Sequence, residues 1–173
     1  MVSVLLMQIR IGMTPKEVRA CVDPELGKVC FLYRIPLEWL QAIITIESNW
    51  NPFAVRYEPD YAYLFEPTRF ANGSNTYATE VSLQKTSFGL GQIMGGLARE
   101  QKLKGPLTQL IDPGVNLAHV GTRLRFLMNK SEDPDTVFAG YNGGPGAMRK
   151  LQTGFFPNQK YVDKINQHLT KAD

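Results

Sequence analysis

The chain is 173 residues long, with 43% hydrophobic and 20% charged residues and a formal net charge of +3. These values are typical of one globular domain with a sizeable core. The net charge is too small to predict nucleic-acid binding, because no run of Lys or Arg accompanies it, and no apolar stretch approaches the roughly 20 residues that span a bilayer.

The first 35 residues are predicted to be a lead-in segment that either packs on the main domain or binds a partner. Residues 1–10 are apolar but lack the basic start and small-residue cleavage site of a signal peptide, so we expect a short strand or a packed tail. Thr14-Pro15-Lys16-Glu17 has the pattern of a capping box, which predicts a helix start. This helix is expected to be short and to end near Cys21, before Asp23-Pro24.

The stretch from Pro36 to Asn49 predicts the first long helix. Leu40, Ile43 and Ile44 recur at helical spacing, and Glu47 falls on the same apolar stripe near the helix end. Burial and the negative end of the helix dipole both disfavour a charged carboxylate there. A carboxyl group that stays protonated near neutral pH can act as a general acid. The alternative is an acid that ends a helix and faces solvent.

A long irregular stretch, residues 55–86, follows this helix and is rich in turn residues and aromatic side chains. Asn72-Gly73 could turn a small β-hairpin, with Thr76–Val81 as a weak strand. Loops of this length are uncommon without a function, so the aromatic residues could line a binding surface, or they could simply pack the loop down. These aromatic residues are Tyr57, Tyr61, Tyr63, Phe65, Phe70 and Tyr77.

The second half of the chain is predicted to be helical. Gly89 is expected to open a helix that reaches Gln101, and its glycines indicate a close backbone approach. The Asp-Pro pairs at 112–113 and 133–134 predict the starts of two further helices, and a last helix begins near Asn158. The sequence therefore predicts a mainly α domain with little strand.

The cysteines and histidines are few and scattered. Cys21 and Cys30 could close a short loop, but one pair does not indicate a compartment. His119 and His168 complete no cluster with metal-ligand spacing, so we predict no metal and no cofactor. Ordinary structural roles are the simpler interpretation for both histidines.

Three motifs in order resemble those of the soluble lytic transglycosylase family, whose fold is related to goose-type lysozyme. They are Glu47-Ser48-Asn49-Trp50-Asn51-Pro52-Phe53-Ala54, Gly89-Leu90-Gly91-Gln92-Ile93-Met94 and Ala139-Gly140-Tyr141-Asn142-Gly143-Gly144-Pro145-Gly146. The resemblance implies a lysozyme-like catalytic domain over residues 36–173. The aromatic insertion and the Asn158–Val162 ending are most similar to the phage-associated branch.

The resemblance implies that Glu47 is the single catalytic carboxylate of a peptidoglycan lytic transglycosylase. It would protonate the bond between N-acetylmuramic acid and N-acetylglucosamine, and then act as a base while the muramoyl O6 attacks C1 to give a 1,6-anhydro end. Substrate-assisted glycosidases need only one protein carboxylate. Tyr141 matches the tyrosine that supports the charged intermediate. The resemblance assigns substrate binding to Gln92, Met94, Asn142 and Tyr161, with Ser87 as a further candidate.

One departure from the family pattern concerns the groove. Gly91 stands where the family usually has Met, which predicts a missing groove wall and a wider groove. The resemblance also implies action at the bacterial cell wall on peptidoglycan glycan strands, in the periplasm or delivered by a virion. An association with a phage virion or a secretion machine is an expectation of the same kind.

Two other functions remain open at this point. A hydrolase of the lysozyme type would need a second carboxylate, and the insertion offers Glu58, Asp60, Glu66 and Glu80. An inactive glycan-binding module would keep the fold without the chemistry. Retention of both Glu47 and Tyr141 argues against the inactive module.

Overall fold

The computed structural model describes residues 9–72 and 75–171, and most of these residues are helical. The apolar residues 1–8 lie outside this range, and so does Gly73 of the predicted hairpin turn. Among the described residues, none of the helices combines the length and the apolar character that a membrane crossing requires. The helices are α1 (Pro15–Tyr33), α2 (Leu37–Ser48), α3 (Pro67–Phe70), α4 (Tyr77–Gln84), α5 (Gly95–Glu100), α6 (Pro113–Met128), α7 (Pro134–Gly143) and α8 (Gln159–Leu169).

Helix α6 lies at the centre of the fold and packs against α1, α7 and the 3₁₀ turn Leu107–Ile111. Asp112 caps its start, because the carboxylate accepts hydrogen bonds from the backbone N–H groups of Gly114 and Val115 at 2.9 and 3.1 Å. Asp133 caps α7 in the same way. Both predicted helix starts are therefore confirmed.

Helix α1 is longer than the sequence predicted. Its capping box at Thr14 and Glu17 is present, but the helix continues through Pro24 to Tyr33, so the predicted end near Cys21 was wrong. A proline inside a helix costs about 3 kcal/mol. Four aliphatic side chains outweigh this cost, since each stabilises the fold by about 1.5–3 kcal/mol when buried. They form one stripe of the helix: Val18, Val22, Leu26 and Val29.

The contact between α1 and α6 is close and fixes the end of α1. A Cβ atom at Gly121 of α6 would lie 2.5 Å from the ring of Tyr33, so only glycine fits at this crossing. Arg125 of α6 donates hydrogen bonds to the carbonyls of Tyr33 and Arg34 at 2.8 and 2.6 Å. These donors satisfy carbonyl groups that a helix end leaves without partners.

Cys21 and Cys30 are both free thiols on α1. Their nine-residue separation along one helix corresponds to about 13 Å, far beyond the Cα separation that a disulfide can bridge. A disulfide between Cys21 and Cys30, which the sequence allowed, is therefore excluded.

Helix α2 buries the predicted stripe of Leu40, Ile43 and Ile44 completely. The helix ends at Ser48, and Asn49 takes the left-handed conformation with φ of 49° while its N–H bonds the carbonyl of Thr45. The chain then turns at once towards the first strand. The last turn of α2 is consequently held at the edge of the core.

Three short strands form one antiparallel sheet in the order β1 (Val55–Tyr57), β2 (Thr86–Phe88) and β3 (Ile93–Met94). The register aligns Arg56 with Ser87 and Ser87 with Met94. These three side chains therefore share one row across the sheet.

Two predictions about this region were wrong. Thr76–Val81 is not a strand but lies at the start of α4, because the Thr76 side chain caps this helix. The face of α4 that carries Glu80 is buried. The stretch from Gly89 to Met94 is not helical either. Gly89 and Gln92 both have positive φ, 71° and 49°, which turns the chain from β2 into β3 and delays α5 until Gly95.

The insertion between β1 and β2 is organised around a buried ion pair. Glu80 of α4 accepts hydrogen bonds from the Arg99 guanidinium at 2.7 and 3.0 Å, and both side chains are almost fully buried. Gln84 and Asn75 also donate to the Glu80 carboxylate, at 2.9 and 2.6 Å. The guanidinium lies 4.2 Å from the ring centroid of Phe70. The insertion is thus tied to α5 by a fully hydrogen-bonded polar cluster.

Candidate active site

A cleft of about 1000 Å³ opens beside the end of α2. One wall carries Glu47, and the row Arg56, Ser87 and Met94 of the sheet lies next to it. The remaining walls come from α5, from α6, and from the end of α7 with the glycine-rich loop after it. The cleft therefore draws on segments that are far apart in sequence.

Glu47 lies in the last turn of α2 and is partly buried. Burial raises the pKa of Glu47 from 4.5 to about 7, and the Tyr161 hydroxyl and the Arg56 guanidinium offset only part of this rise. No ion pair holds the carboxylate in the described part of the chain. Near neutral pH the side chain can therefore both give and take a proton.

Tyr161 of α8 lies close to Glu47 and is 9% exposed. Its hydroxyl is close enough to favour the charged form of Glu47, yet it makes no hydrogen bond of ordinary geometry within residues 9–72 and 75–171. Burial and the charge of Glu47 raise the pKa of Tyr161 well above its usual value. The hydroxyl thus stays protonated and available as a donor.

Tyr141 of α7 lines the same cleft as Glu47. Its hydroxyl donates a hydrogen bond to the carbonyl of Gly91 at 2.7 Å. Burial raises the pKa of Tyr141 strongly, and the charge of Glu47 raises it further. Both tyrosines therefore remain neutral beside the carboxyl group.

Gly91 does not widen the groove, so the prediction of a missing wall was wrong. The residue is buried, and a Cβ atom there would lie 2.2 Å from Val120 and 2.8 Å from the Tyr141 hydroxyl. Its N–H donates to Asn116 at 2.9 Å. The space that a larger side chain would need is already filled by α6 and α7.

Gln92 and Ser87 form one hydrogen-bonded unit at the cleft. The Ser87 hydroxyl donates to Oε1 of Gln92 at 2.8 Å. The Gln92 amide nitrogen donates to the carbonyls of Ala54 and Gly89 at 3.2 and 3.0 Å. Both side chains line the cleft, but the amide of Gln92 is already engaged in holding the β2–β3 turn against the end of the first motif.

Met94 and Asn142 also line the cleft. Met94 presents a half-buried thioether from β3. Asn142 is exposed, and its side-chain oxygen accepts a hydrogen bond from Asn158 at 3.0 Å. The cleft thus brings together six of the seven site residues that the sequence singled out, and the seventh, Tyr161, lies close to Glu47.

The insertion contributes only part of its acidic and aromatic residues to the cleft. Glu58 and Asp60 line it, and Glu58 forms an ion pair with Arg56. Of the aromatic residues, Tyr61 and Tyr63 line the cleft, with ring centroids 5.8 Å apart in an edge-to-face contact. The other acidic candidates are engaged elsewhere: Glu66 pairs with Arg69, and Glu80 with Arg99.

Sequence reasoning missed Arg56, Arg123, Glu100 and Phe126, all of which line the cleft. These residues lie beside the apolar stripes or just after a motif, so hydrophobic periodicity does not identify them as site residues. Among the described residues, no cluster of three or more His, Cys, Asp or Glu could hold a metal ion.

Comparison with known families identifies the family of this chain. The family described as Transglycosylase SLT domain matches residues 32–162, which include all seven site residues. The search among curated proteins found no significant match. The division of the chain at residue 35 stays a prediction. The resemblance to the soluble lytic transglycosylase family and the mainly helical, lysozyme-like fold are confirmed, whereas the similarity to the phage-associated branch stays a prediction. The cell-wall polymer peptidoglycan is the substrate that this family implies. The chain belongs to the SLT transglycosylase family, whose members are lytic transglycosylases.

Proposed function

We propose that this protein cleaves the bond between N-acetylmuramic acid and N-acetylglucosamine without water, with Glu47 as the general acid and then the general base. The observation that carries the proposal is a partly buried carboxyl group in the cleft, with its pKa raised to about 7 and no ion-pair partner among the described residues. A group with this pKa is populated in both protonation states near neutral pH, as a two-step proton transfer requires.

In the first step, protonated Glu47 gives its proton to the glycosidic oxygen as the bond to C1 of the muramoyl unit breaks. The carbonyl oxygen of the substrate's own 2-acetamido group bonds to C1 and forms an oxazolinium ion. The neutral hydroxyls of Tyr141 and Tyr161 both lie near the carboxylate that this step creates, since the charge of Glu47 acts on both. The Tyr161 hydroxyl is the donor that can stabilise that carboxylate.

In the second step, the muramoyl O6 hydroxyl attacks C1 and opens the oxazolinium ring. Glu47 takes the O6 proton and returns to its starting state. The products are an N-acetylglucosamine end and a 1,6-anhydromuramoyl end, and no water is consumed. A single protein carboxylate suffices because the substrate supplies the internal nucleophile.

A lysozyme-type hydrolase is the second candidate, since Glu58 and Asp60 line the same cleft as Glu47. Asp60 is the better placed of the two to orient water, because Glu58 is held in an ion pair with Arg56. The two reactions differ in product mass by one water. Mass spectrometry of muropeptides released from purified peptidoglycan therefore separates them directly.

The first prediction tests Glu47 with the substitution Glu47→Gln. We expect anhydro-muropeptides from the parent protein and a fall of at least about 10³-fold in their rate of release from the variant. Glu38→Gln is the matched control, since Glu38 is an exposed residue of the same helix, and it is expected to keep parental activity. Reducing-end products from the parent would favour the hydrolase. Undiminished release by Glu47→Gln would contradict the role of Glu47, and no release by the parent would favour the inactive module.

We also propose, from the resemblance to the phage-associated branch, that the domain reaches the wall in a virion or through a secretion machine. Quantitative mass spectrometry of purified particles and of culture supernatants tests this route. Enrichment in particles supports the virion, and loss from the supernatant when a secretion machine is inactivated supports secretion.

A further inference from the structure

Arg123 is a cleft cation with little of its hydrogen-bonding capacity used. It lies on α6 and lines the cleft, where its Nη2 donates to the carbonyl of Gly140 at 2.8 Å. Its Nε is buried and has no hydrogen-bond partner within the described ranges. No carboxylate of residues 9–72 or 75–171 forms an ion pair with this guanidinium. The part of the guanidinium that lines the cleft can therefore donate to an anionic acceptor brought by a ligand.

The glycine-rich loop after α7 passes beside Arg123 at the cleft. Gly144 follows α7 with φ of 79°, and a Cβ atom built there would lie 4.0 Å from Arg123 Nη2. Both the loop and Arg123 line the cleft. A ligand in the cleft can therefore meet the guanidinium beside a loop that carries no side chain at this point.

Among the described residues that line the cleft, Arg123 is the cation without an ion-pair partner, so it is the lining residue most suited to an anion. Four acids line the cleft, and Arg56, the other lining cation, is already paired with Glu58. Glu100 acts on Arg123 through space but forms no ion pair with it among the described residues. The four acids are Glu47, Glu58, Asp60 and Glu100.

We propose that Arg123 binds a carboxylate on the muramoyl side of the substrate and so selects muramoyl glycans over neutral ones. The inference rests on the proposed function. N-acetylglucosamine is neutral, whereas the muramoyl unit carries either a free lactyl carboxylate or a stem peptide with its own carboxylates. A guanidinium fork matches the planar geometry of a carboxylate and donates two parallel hydrogen bonds. Because Arg123 bonds the backbone next to Tyr141, the bound carboxylate would lie beside the reacting sugar.

The test measures ligand binding by calorimetry in a Glu47→Gln background, which prevents turnover. The ligands are chitotetraose, which has no carboxylate, an amidase-stripped muramoyl tetrasaccharide with free lactyl carboxylates, and muropeptide tetrasaccharides whose stem carboxylates are either free or amidated. Arg123→Gln is expected to weaken binding of the carboxylate ligands by about ten- to a hundredfold and to leave chitotetraose unchanged.

The ligand that loses affinity identifies the source of the carboxylate. A loss with the stripped tetrasaccharide assigns the lactyl group, and a loss confined to the muropeptide with free stem carboxylates assigns the stem. Glu100→Gln is expected to strengthen carboxylate binding, since it removes a repelling charge. Arg123→Lys keeps the cation and is expected to recover part of the loss, whereas Arg149→Gln, an exposed arginine, serves as the control without effect.

Two results would overturn the inference. One is an equal loss of affinity for chitotetraose and for the carboxylate ligands, and the other is unchanged affinity of Arg123→Gln for all of them. Either result, obtained while the parent protein still releases anhydro-muropeptides, contradicts the role of Arg123 alone. Failure of the parent to release these products contradicts the proposed function instead.

Discussion

Two glutamates are shielded from bulk water, Glu47 at the cleft and Glu80 in the insertion, and their pKa values are shifted in opposite directions. Burial raises the pKa of Glu47 to about 7, and only weak contributions from Tyr161 and Arg56 oppose it. Burial acts in the same direction on Glu80, but the hydrogen bonds from Arg99 and its neighbours outweigh it and lower the pKa of that carboxyl group. The difference lies in the partners and not in the burial.

The comparison shows how one chain uses the same side chain for structure and for chemistry. Glu80 is a permanent carboxylate whose lone pairs are all engaged, so it anchors the insertion. Within residues 9–72 and 75–171, Glu47 has neither an ion-pair partner nor a comparable set of hydrogen bonds, so its carboxyl group can exchange a proton with a substrate. A search for buried acids alone would find both, and only the hydrogen-bond partners separate the reactive one from the structural one.

The largest expected effect on stability comes from breaking the Glu80 cluster. Arg99→Met leaves the Glu80 charge buried without its cation, so we expect the free energy of unfolding to fall by about 3–5 kcal/mol. Urea unfolding followed by circular dichroism measures this change. The double variant Glu80→Gln with Arg99→Met removes both charges and should recover most of the loss. A loss in Arg99→Met below about 1 kcal/mol would mean that the cluster does not hold the insertion.

The next prediction concerns the pH dependence of stability that Glu47 causes. Because the folded pKa is about 7 and the usual value is 4.5, the folded state binds more protons than the unfolded state between these values. Stability therefore falls as pH rises from about 4.5 to 7. Glu47→Gln removes this loss, so its stability relative to the parent should be about 2–3 kcal/mol greater at pH 8 than at pH 4.

Urea unfolding of the parent and of Glu47→Gln across this pH range checks this pH dependence. Glu38→Gln is again the control and should show no such pH-dependent gain. A relative stability of Glu47→Gln that does not change with pH would show that Glu47 has an ordinary pKa, and the contrast with Glu80 would disappear.

The smallest effect is expected from Tyr161→Phe. The hydroxyl favours the charged form of Glu47, so its removal should raise the pKa of that acid and move the alkaline limb of the activity profile upward by less than about one pH unit. Stability should change by no more than about 1 kcal/mol, since the hydroxyl has no regular hydrogen bond in the described ranges. Tyr57→Phe, at an exposed position on β1, is the control. An alkaline limb that stays in place or moves downward would contradict the tuning role.

Local signals predicted the helices well. The Asp112 and Asp133 caps act within three residues of themselves, and the stripe of Leu40, Ile43 and Ile44 needs only helical spacing, so each can be identified from a short window. Of the candidate site, only Glu47 followed from such a window, and the other site residues came from the resemblance to the motifs of the family. Glu47 lies on one of those stripes, which is why the sequence alone indicated a desolvated acid.

Tertiary contacts decided the features that the sequence misjudged. Pro24 suggested a helix end, but the packing of α1 on α6 carries the helix through it. Gly91 suggested a gap in a groove, but Val120 and Tyr141 occupy that space. Arg123 gave no local signal, because its interest lies in a charge that no carboxylate of the described ranges pairs with in the folded chain.

The row of Arg56, Ser87 and Met94 across the sheet makes the floor of the cleft independent of the length of the insertion. The hydrogen bonds between β1 and β2 fix where one strand ends and the other begins, but they do not fix the length of the chain between them. The entropic cost of closing that link rises by about 0.6 kcal/mol for each doubling of its length. Chain can therefore be added or removed between β1 and β2 while the row stays in place.

In engineering terms, the insertion is an exchangeable part. A short turn spliced in place of residues 59–84 would keep the floor and remove the wall that Asp60, Tyr61 and Tyr63 provide. Arg99 would have to be replaced in the same step, because the splice deletes Glu80. The depth of the groove could therefore be changed by replacing the insertion together with Arg99, while Glu47 at the end of α2 stays unchanged.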